Sequence, residues 1–297
     1  MALYDPDAGQ RERALISVEQ TLEDLDSHGL IVERKEDIIA RIRIAESIES
    51  AAQSASFIQE CAPECEEIKR SIFAALDSCA LPHAILASAS SAMPASRFAS
   101  GLGASARCLI AHPANPPFLL RIIELVPAPF TEEETVQRAT AFFEKVGLAP
   151  ILVRSEIEGF VFNRLQGAVL REAYCLVRDE VASAEDIDRV MRGALGLRWS
   201  VLGPFETVDL NTVGGIEEHA RRMGPAYARM GAERGQDDPW TSELVSKIAA
   251  ERRALLPLDR REERVAWRDR QLMQLLAHRD SQMNLDRSDH ERADSNH

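Results

Sequence analysis

The chain has 297 residues, 45% of them hydrophobic and 28% charged, which favours two domains over one and supplies a buried core through most of its length. Its formal charge of −13 argues against a nucleic-acid partner, whose phosphates would be repelled over most of the surface, while an anionic small substrate needs only a local positive group. Five cysteines (Cys61, Cys65, Cys79, Cys108, Cys175), acidic Asp5 and Asp7 in place of a signal segment, and no apolar run of roughly 18 residues indicate a cytoplasmic protein with reduced thiols, without a membrane span or a metal site.

Ala2-Leu3-Tyr4-Asp5 reads as a short strand ending in an acid. Residues 7–28 read as a helix, with Ala14, Leu15, Val18, Leu22 and Leu25 at helical spacing and Gly29 as its terminator. A weak strand is expected at 41–44, a short helix at 47–54 and a strand at 56–60, followed by a helix that Pro63 opens. Ala84-Ile85-Leu86-Ala87, residues 107–111 and residues 119–126 read as strands. Thr131 and Glu134 have capping-box spacing before a helix that ends near Gly147, and Ile151-Leu152-Val153 is a last strand. Strands alternating with helices imply a parallel sheet covered on both faces, a Rossmann-like α/β domain over residues 1–155. After Gly159 the pattern becomes helical (160–178, 184–191, 216–230), predicting an all-α second domain over 156–279. Residues 280–297 are polar and charged and read as a disordered tail.

Four residues carry candidate chemistry. His112 follows the strand 107–111, and a histidine there can take a proton from an alcohol as hydride leaves the adjacent carbon. Glu124 lies in an apolar strand-like stretch that can run back beside it and hold the other ring nitrogen. A carboxylate between Ile123 and Leu125 is costly to bury without a partner. Ser90 lies just past a buried strand, where ligands of such sheets bind, and Asn163 sits at the start of the long helix where the domains meet. The alternatives are a loop histidine, an edge-strand glutamate, a turn serine and a first-turn asparagine. Asp5 at the end of the first strand suits the ribose hydroxyls of NAD, or is a turn or N-cap aspartate. Gly101-Leu102-Gly103-Ala104-Ser105-Ala106 fits a phosphate-loop pattern but precedes a strand, so it reads as a turn.

Several segments resemble the 3-hydroxyacyl-CoA dehydrogenase superfamily, and within it the lambda-crystallin and L-gulonate 3-dehydrogenase branch. They are Leu3-Tyr4-Asp5, the run Phe57 to Glu64, Ser88 to Pro94, Ala111-His112-Pro113-Ala114-Asn115-Pro116-Pro117, Glu124-Leu125-Val126-Pro127, Gly159-Phe160-Val161-Phe162-Asn163-Arg164-Leu165, and Gly196 to Trp199 through Gly203 to Thr207. The resemblance implies His112 as general base, Glu124 as its orienting partner, and Ser90 and Asn163 as ligands of the substrate oxygen. It also implies Glu60 and Lys69, with Asp5, on the cofactor side, and Asn115 for the substrate; Arg198 could pair with the substrate carboxylate or be a surface arginine. Pro113-Ala114, where acyl-CoA members carry aromatic residues, leans toward a small hydroxy acid.

The expected function is NAD-dependent oxidation of a small, L-gulonate-like 3-hydroxy acid by a homodimer. A 3-hydroxyacyl-CoA or carnitine dehydrogenase, or a non-catalytic crystallin-like relative, are the alternatives. One departure stands out: the chain opens on what would be the second strand of the nucleotide fold, without a first strand and its glycine loop, so the chain as written is expected to bind NAD poorly.

Overall fold

A computed structural model describes residues 1–27, 31–234, 242–265 and 267. Gly29 and the expected tail at 280–297 lie outside these. The chain divides into two compact units, Met1–Ala168 and Val169–His297.

The first unit alternates strand and helix: β1 (Ala2–Leu3), α1 (Ala8–Ser27), α2 (Lys35–Ile39), β2 (Arg43–Ile44), α3 (Ile48–Ala52), β3 (Phe57–Glu60), α4 (Glu66–Cys79), β4 (Ile85–Ser88), α5 (Ser96–Ala99), β5 (Cys108–Pro113), β6 (Ile122–Pro127), α6 (Glu133–Lys145) and β7 (Ala149–Leu152). β1 and β2 form a two-stranded parallel sheet, and the other five strands a second sheet in the order β3-β4-β5-β6-β7. The open doubly wound order 3-2-1-4-5-6 would place one more strand between β1 and β3. Among the described residues no ladder joins the two sheets.

The centre of the large sheet is buried on both sides, which is why β4 and β5 are apolar at consecutive positions. On one face Leu86, Ile110 and Val126 pack against Phe73 and Leu76 of α4, Phe98 of α5, and Phe160. On the other, Ile85, Leu109, Ile123 and Leu125 meet Ala139 and Phe143 of α6. Each fully buried side chain of this size contributes about 1.5–3 kcal/mol, so the sheet holds much of the unit's stability.

Three details differ from the sequence reading. The sheet is mixed, because β5 and β6 are antiparallel. Only residues 114–121 separate them, too few for the crossover that a parallel pair needs, and the exposed Leu119 and Leu120 fall in this loop. The capping box at Thr131 does not form: its hydroxyl donates to Cys108 O at 2.6 Å and accepts from Ala128 N–H at 2.8 Å, so α6 starts two residues later without a side-chain cap. Pro63 lies in the turn before α4, whose N-cap is Cys65.

α7 (Phe162–Arg178) leads from the first unit into the second, which contains α8 (Ala184–Val190), a π-helical turn (Met191–Leu195), α9 (Gly196–Trp199), α10 (Pro204–Asn211), α11 (Gly215–Glu233) and α12 (Ser242–Leu255). The π turn requires glycine at its exit, since a Cβ on Gly196 would lie 2.7 Å from Met191 O. Buried Asp209 ties this unit together: it accepts the Ile216 N–H at 2.8 Å and pairs with Arg253. No helix among the described residues is long and apolar enough to cross a membrane.

Candidate active site

The antiparallel pairing sets His112 of β5 directly opposite Glu124 of β6. Both point to the same face as Ile110 and Val126, because side chains two apart on a strand share a face. The imidazole is 5% exposed and the glutamate 2%. Nδ1 of His112 lies 2.8 Å from Oε2 of Glu124. The other oxygen, Oε1, accepts the N–H groups of Val161 at 2.8 Å and Phe162 at 2.9 Å, the free donors at the start of α7. A carboxylate satisfied in this way is an acceptor only, so Nδ1 carries the proton and Nε2 is left as a base.

The backbone is bent to make this possible. Gly159 (φ 76°) and Phe160 (φ 49°) are consecutive left-handed residues, and a phenylalanine adopts that region only at a cost of order 1–3 kcal/mol. The turn aims two helix donors at Glu124 and seats the fully buried Phe160 ring 5.7 Å from the imidazole, centroid to centroid, with the Phe162 ring at 6.4 Å.

Asn163, the next residue along, donates from Nδ2 to Ser91 O at 2.8 Å. That bond reaches the loop after β4 and so joins Asn163 to Ser90. Ser90 is 1% exposed, and its hydroxyl donates to Glu64 and accepts the Met93 N–H at 3.0 Å. An unbroken series of hydrogen bonds and neighbouring residues therefore runs from His112 through Glu124, the start of α7, Asn163 and Ser91 to Ser90. This series links the four residues, drawn from separate sequence segments, across the ends of β4, β5 and β6 and the first turn of α7.

Glu60 and Lys69 form a buried ion pair, with Nζ 3.0 Å from each carboxylate oxygen. Ser88, opposite Glu60 in the β3–β4 register, donates to the same carboxylate and accepts the Ser90 N–H at 3.1 Å, so the pair supports the serine loop from beneath. Asp5 accepts the Asp7 N–H at 2.8 Å in a turn before α1, and Asp7 caps that helix through Gly9 and Gln10. Asn115 is exposed on the loop after β5, and Arg198 lies on α9 of the second unit. The N–H groups of Gly103 and Ala104 bind the Asp77 carboxylate, which explains that glycine pair as a turn anchor. Glu64 is the residue that sequence reasoning missed: it follows Pro63 among other acids at the start of α4, where acidic residues are ordinary.

A mixed α/β sheet, helices on both its faces, a helical second unit and a buried histidine–carboxylate pair at the strand ends define the general class: a dinucleotide-fold dehydrogenase architecture. Residues 1–157 match the NAD binding domain of 3-hydroxyacyl-CoA dehydrogenase, and residues 159–254 match the C-terminal domain of that family. The chain is 36% identical over 277 residues to the lambda-crystallin homolog of Bos taurus, covering 92% of this chain and 86% of that one. It is 38% identical over 251 residues to a 3-hydroxyacyl-CoA dehydrogenase of Gibberella moniliformis, covering 81% and 76%. Its fold is similar to the solved 3-hydroxyacyl-CoA dehydrogenase of Archaeoglobus fulgidus, with a TM-score of 0.66 and 23% identity over 93% of this chain and 90% of that one. The chain belongs to the 3-hydroxyacyl-CoA dehydrogenase family, in its lambda-crystallin branch.

The family's cofactor is NAD. The turn after β1, with the Asp5 carboxylate at the strand's end, fits the ribose end of that molecule. Among the described residues no strand-to-helix turn carries the glycine pair that would let a backbone approach the pyrophosphate.

Proposed function

We propose that the protein oxidises a small, L-gulonate-like 3-hydroxy acid to the 3-keto acid with NAD. One observation carries this reading: the buried His112–Glu124 pair, whose second carboxylate oxygen is held by two N–H groups of α7. Nε2 of His112 takes the proton of the 3-hydroxyl, and Glu124 fixes the ring and steadies the imidazolium that results. Ser90 and Asn163 contact the reacting oxygen. The Asn163 amide spends one hydrogen on Ser91 O and has a second for the substrate. NAD, when bound, supplies the hydride acceptor. Asp5 binds its ribose, and Glu60 and Lys69 lie on the cofactor side, beneath the serine loop that they support. Asn115 contributes to substrate binding.

The small-acid preference is supported by Pro113-Ala114 directly after His112, at positions where acyl-CoA members of the family carry aromatic residues. A second copy of the chain would cover Leu165, Leu170, Tyr174 and Val177, which α7 leaves exposed, and sedimentation would read the resulting homodimer. The decisive experiment is turnover of L-gulonate, carnitine and 3-hydroxybutyryl-CoA at millimolar NAD by wild type and His112→Ala. The expected result is L-gulonate as best substrate and a loss of about 10²–10⁴ in rate for the variant. An unaffected His112→Ala enzyme refutes the mechanism, and a preference for carnitine or the CoA ester refutes the substrate assignment.

A further inference from the structure

Nε2 is the edge of the His112 ring left for a substrate, since Nδ1 is held by Glu124. The imidazole is only 5% exposed, so a ligand reaches that atom along whatever borders it. Among the described residues, three side chains meet the imidazole through a hydrogen bond or a ring contact: Glu124, Phe160 and Phe162. Glu124 and Phe160 are buried, whereas Phe162 is 39% exposed. Phe162 is therefore the member of that set with surface to offer a ligand.

The backbone and the side chain of Phe162 have separate tasks. Its N–H donates to Oε1 of Glu124 at 2.9 Å and helps to hold the carboxylate. Any residue but proline supplies that donor. The ring is not needed for it, yet it stands at 61° to the imidazole with the centroids 6.4 Å apart. Ile122, two residues before Glu124 on β6 and so on the same face, is also apolar and exposed.

A 3-hydroxy acid bound for proton transfer places its oxygen roughly 2.6–3.2 Å from Nε2. The carbon that bears this oxygen has three other substituents. Its hydrogen must face the hydride acceptor. C2 leads to the carboxylate, which would lose water without gaining a partner if laid against a phenyl ring. C4 remains. It is two bonds from the oxygen, and it gains by burying its C–H groups on the ring.

We infer that Phe162 is a specificity-determining residue: its ring packs against C4 of the substrate and fills the space that a bulky C4 substituent needs. The inference deepens the small-hydroxy-acid reading and rests on the assignment of His112 to the 3-hydroxyl. The ring is partly exposed and its removal strands no polar group, so the fold survives its loss.

The test compares 3-hydroxybutyrate with carnitine, taken with the same arrangement about C3. The two share C1 to C3 and differ only in the trimethylammonium that carnitine carries on C4. The kcat/KM for each is measured at millimolar NAD in wild type, Phe162→Leu, Phe162→Ala and His112→Ala. The preference for 3-hydroxybutyrate over carnitine falls about 10- to 100-fold in Phe162→Ala, the range for a methylene-sized change in an apolar pocket, and by less in Phe162→Leu. A general disturbance of His112 slows both substrates alike and leaves that ratio unmoved. A ring also attracts a quaternary ammonium, and if attraction outweighed exclusion, Phe162→Ala would use carnitine less well. A ratio within about threefold of wild type, or a shift against carnitine, overturns the inference. Saturation-transfer NMR with 3-hydroxybutyrate reads the contact without turnover: the C4 methyl receives more saturation than the C2 protons, and loses that advantage in Phe162→Ala. A stronger C2 signal, or an advantage that survives the substitution, overturns it as well. If His112→Ala is inactive while the ratio in Phe162→Ala stays put, this inference alone fails. If wild type turns over no 3-hydroxy acid, the dehydrogenase reading fails, and the NMR contact still decides the place of Phe162.

Discussion

Replacing Glu124 with glutamine separates orientation from packing. The side chain is buried, and Gln matches it in size, so the shape of the site is kept. The amide oxygen can still accept the N–H groups of Val161 and Phe162. The amide nitrogen then faces Nδ1 of His112 at the 2.8 Å contact and can only donate. Nδ1 must turn acceptor, the proton moves to Nε2, and the base is lost. The expected cost is about 10²–10⁴ in kcat, the range for general-base catalysis and for a triad held in the wrong tautomer. Stability should fall by only about 1.5–3 kcal/mol, one charge-assisted hydrogen bond. Glu124→Ala, by contrast, leaves two part-buried N–H groups and the histidine unpaired, and should cost about 3–9 kcal/mol at roughly 1–3 kcal/mol for each unsatisfied group. The assays are urea unfolding and kcat on a 3-hydroxy acid, with nitrogen NMR of the imidazole reporting the tautomer. A Glu124→Gln enzyme within about threefold of wild type would refute the orientation argument.

Lys69→Met strands the Glu60 carboxylate in the core and should destabilise the first unit by about 3–5 kcal/mol in urea unfolding; a loss below ~1 kcal/mol would mean that Ser88 and Ala62 suffice. Asp179 is held at about 2 by hydrogen bonds from Arg178 and Arg234, so its contribution to stability is present above the ordinary 3.8 and lost as pH falls toward 2. The gap between wild type and Asp179→Asn should therefore close across that window, and a gap that persists at the acid end contradicts it.

Much of the first unit was legible because its signals are local. The apolar runs at β4 and β5 and the proline-flanked His112 mark strands and a strand end without reference to distant residues. Glu124 was legible for an energetic reason: an acid amid Ile and Leu needs a partner, and a strand running back offers the histidine. What the sequence withheld depends on tertiary competition. Thr131 has the spacing of a cap, but the carbonyl of Cys108 takes its proton. The antiparallel turn of β6 follows from loop length more than from strand pattern. Glu64 closes a segment that carries the family resemblance, but nothing local gives it a role, since Glu66 and Glu67 beside it have the same composition and pair instead with Arg70, Arg97 and Cys65 at the surface.

The β5–β6 hairpin separates two tasks that many enzymes entangle. The base and its carboxylate are fixed by one rung of the ladder, whereas the eight residues joining the two strands add nothing to that rung. On the proposed mechanism, insertions, deletions or wholesale replacement at 114–121 would reshape what is recognised while the His112–Glu124 pair stays in place. A slip of a single residue in pairing would turn both groups to the opposite side of the sheet. Natural or laboratory diversification of this chain should accordingly accumulate in that connection and spare the rung, making it the first place to graft a new substrate preference.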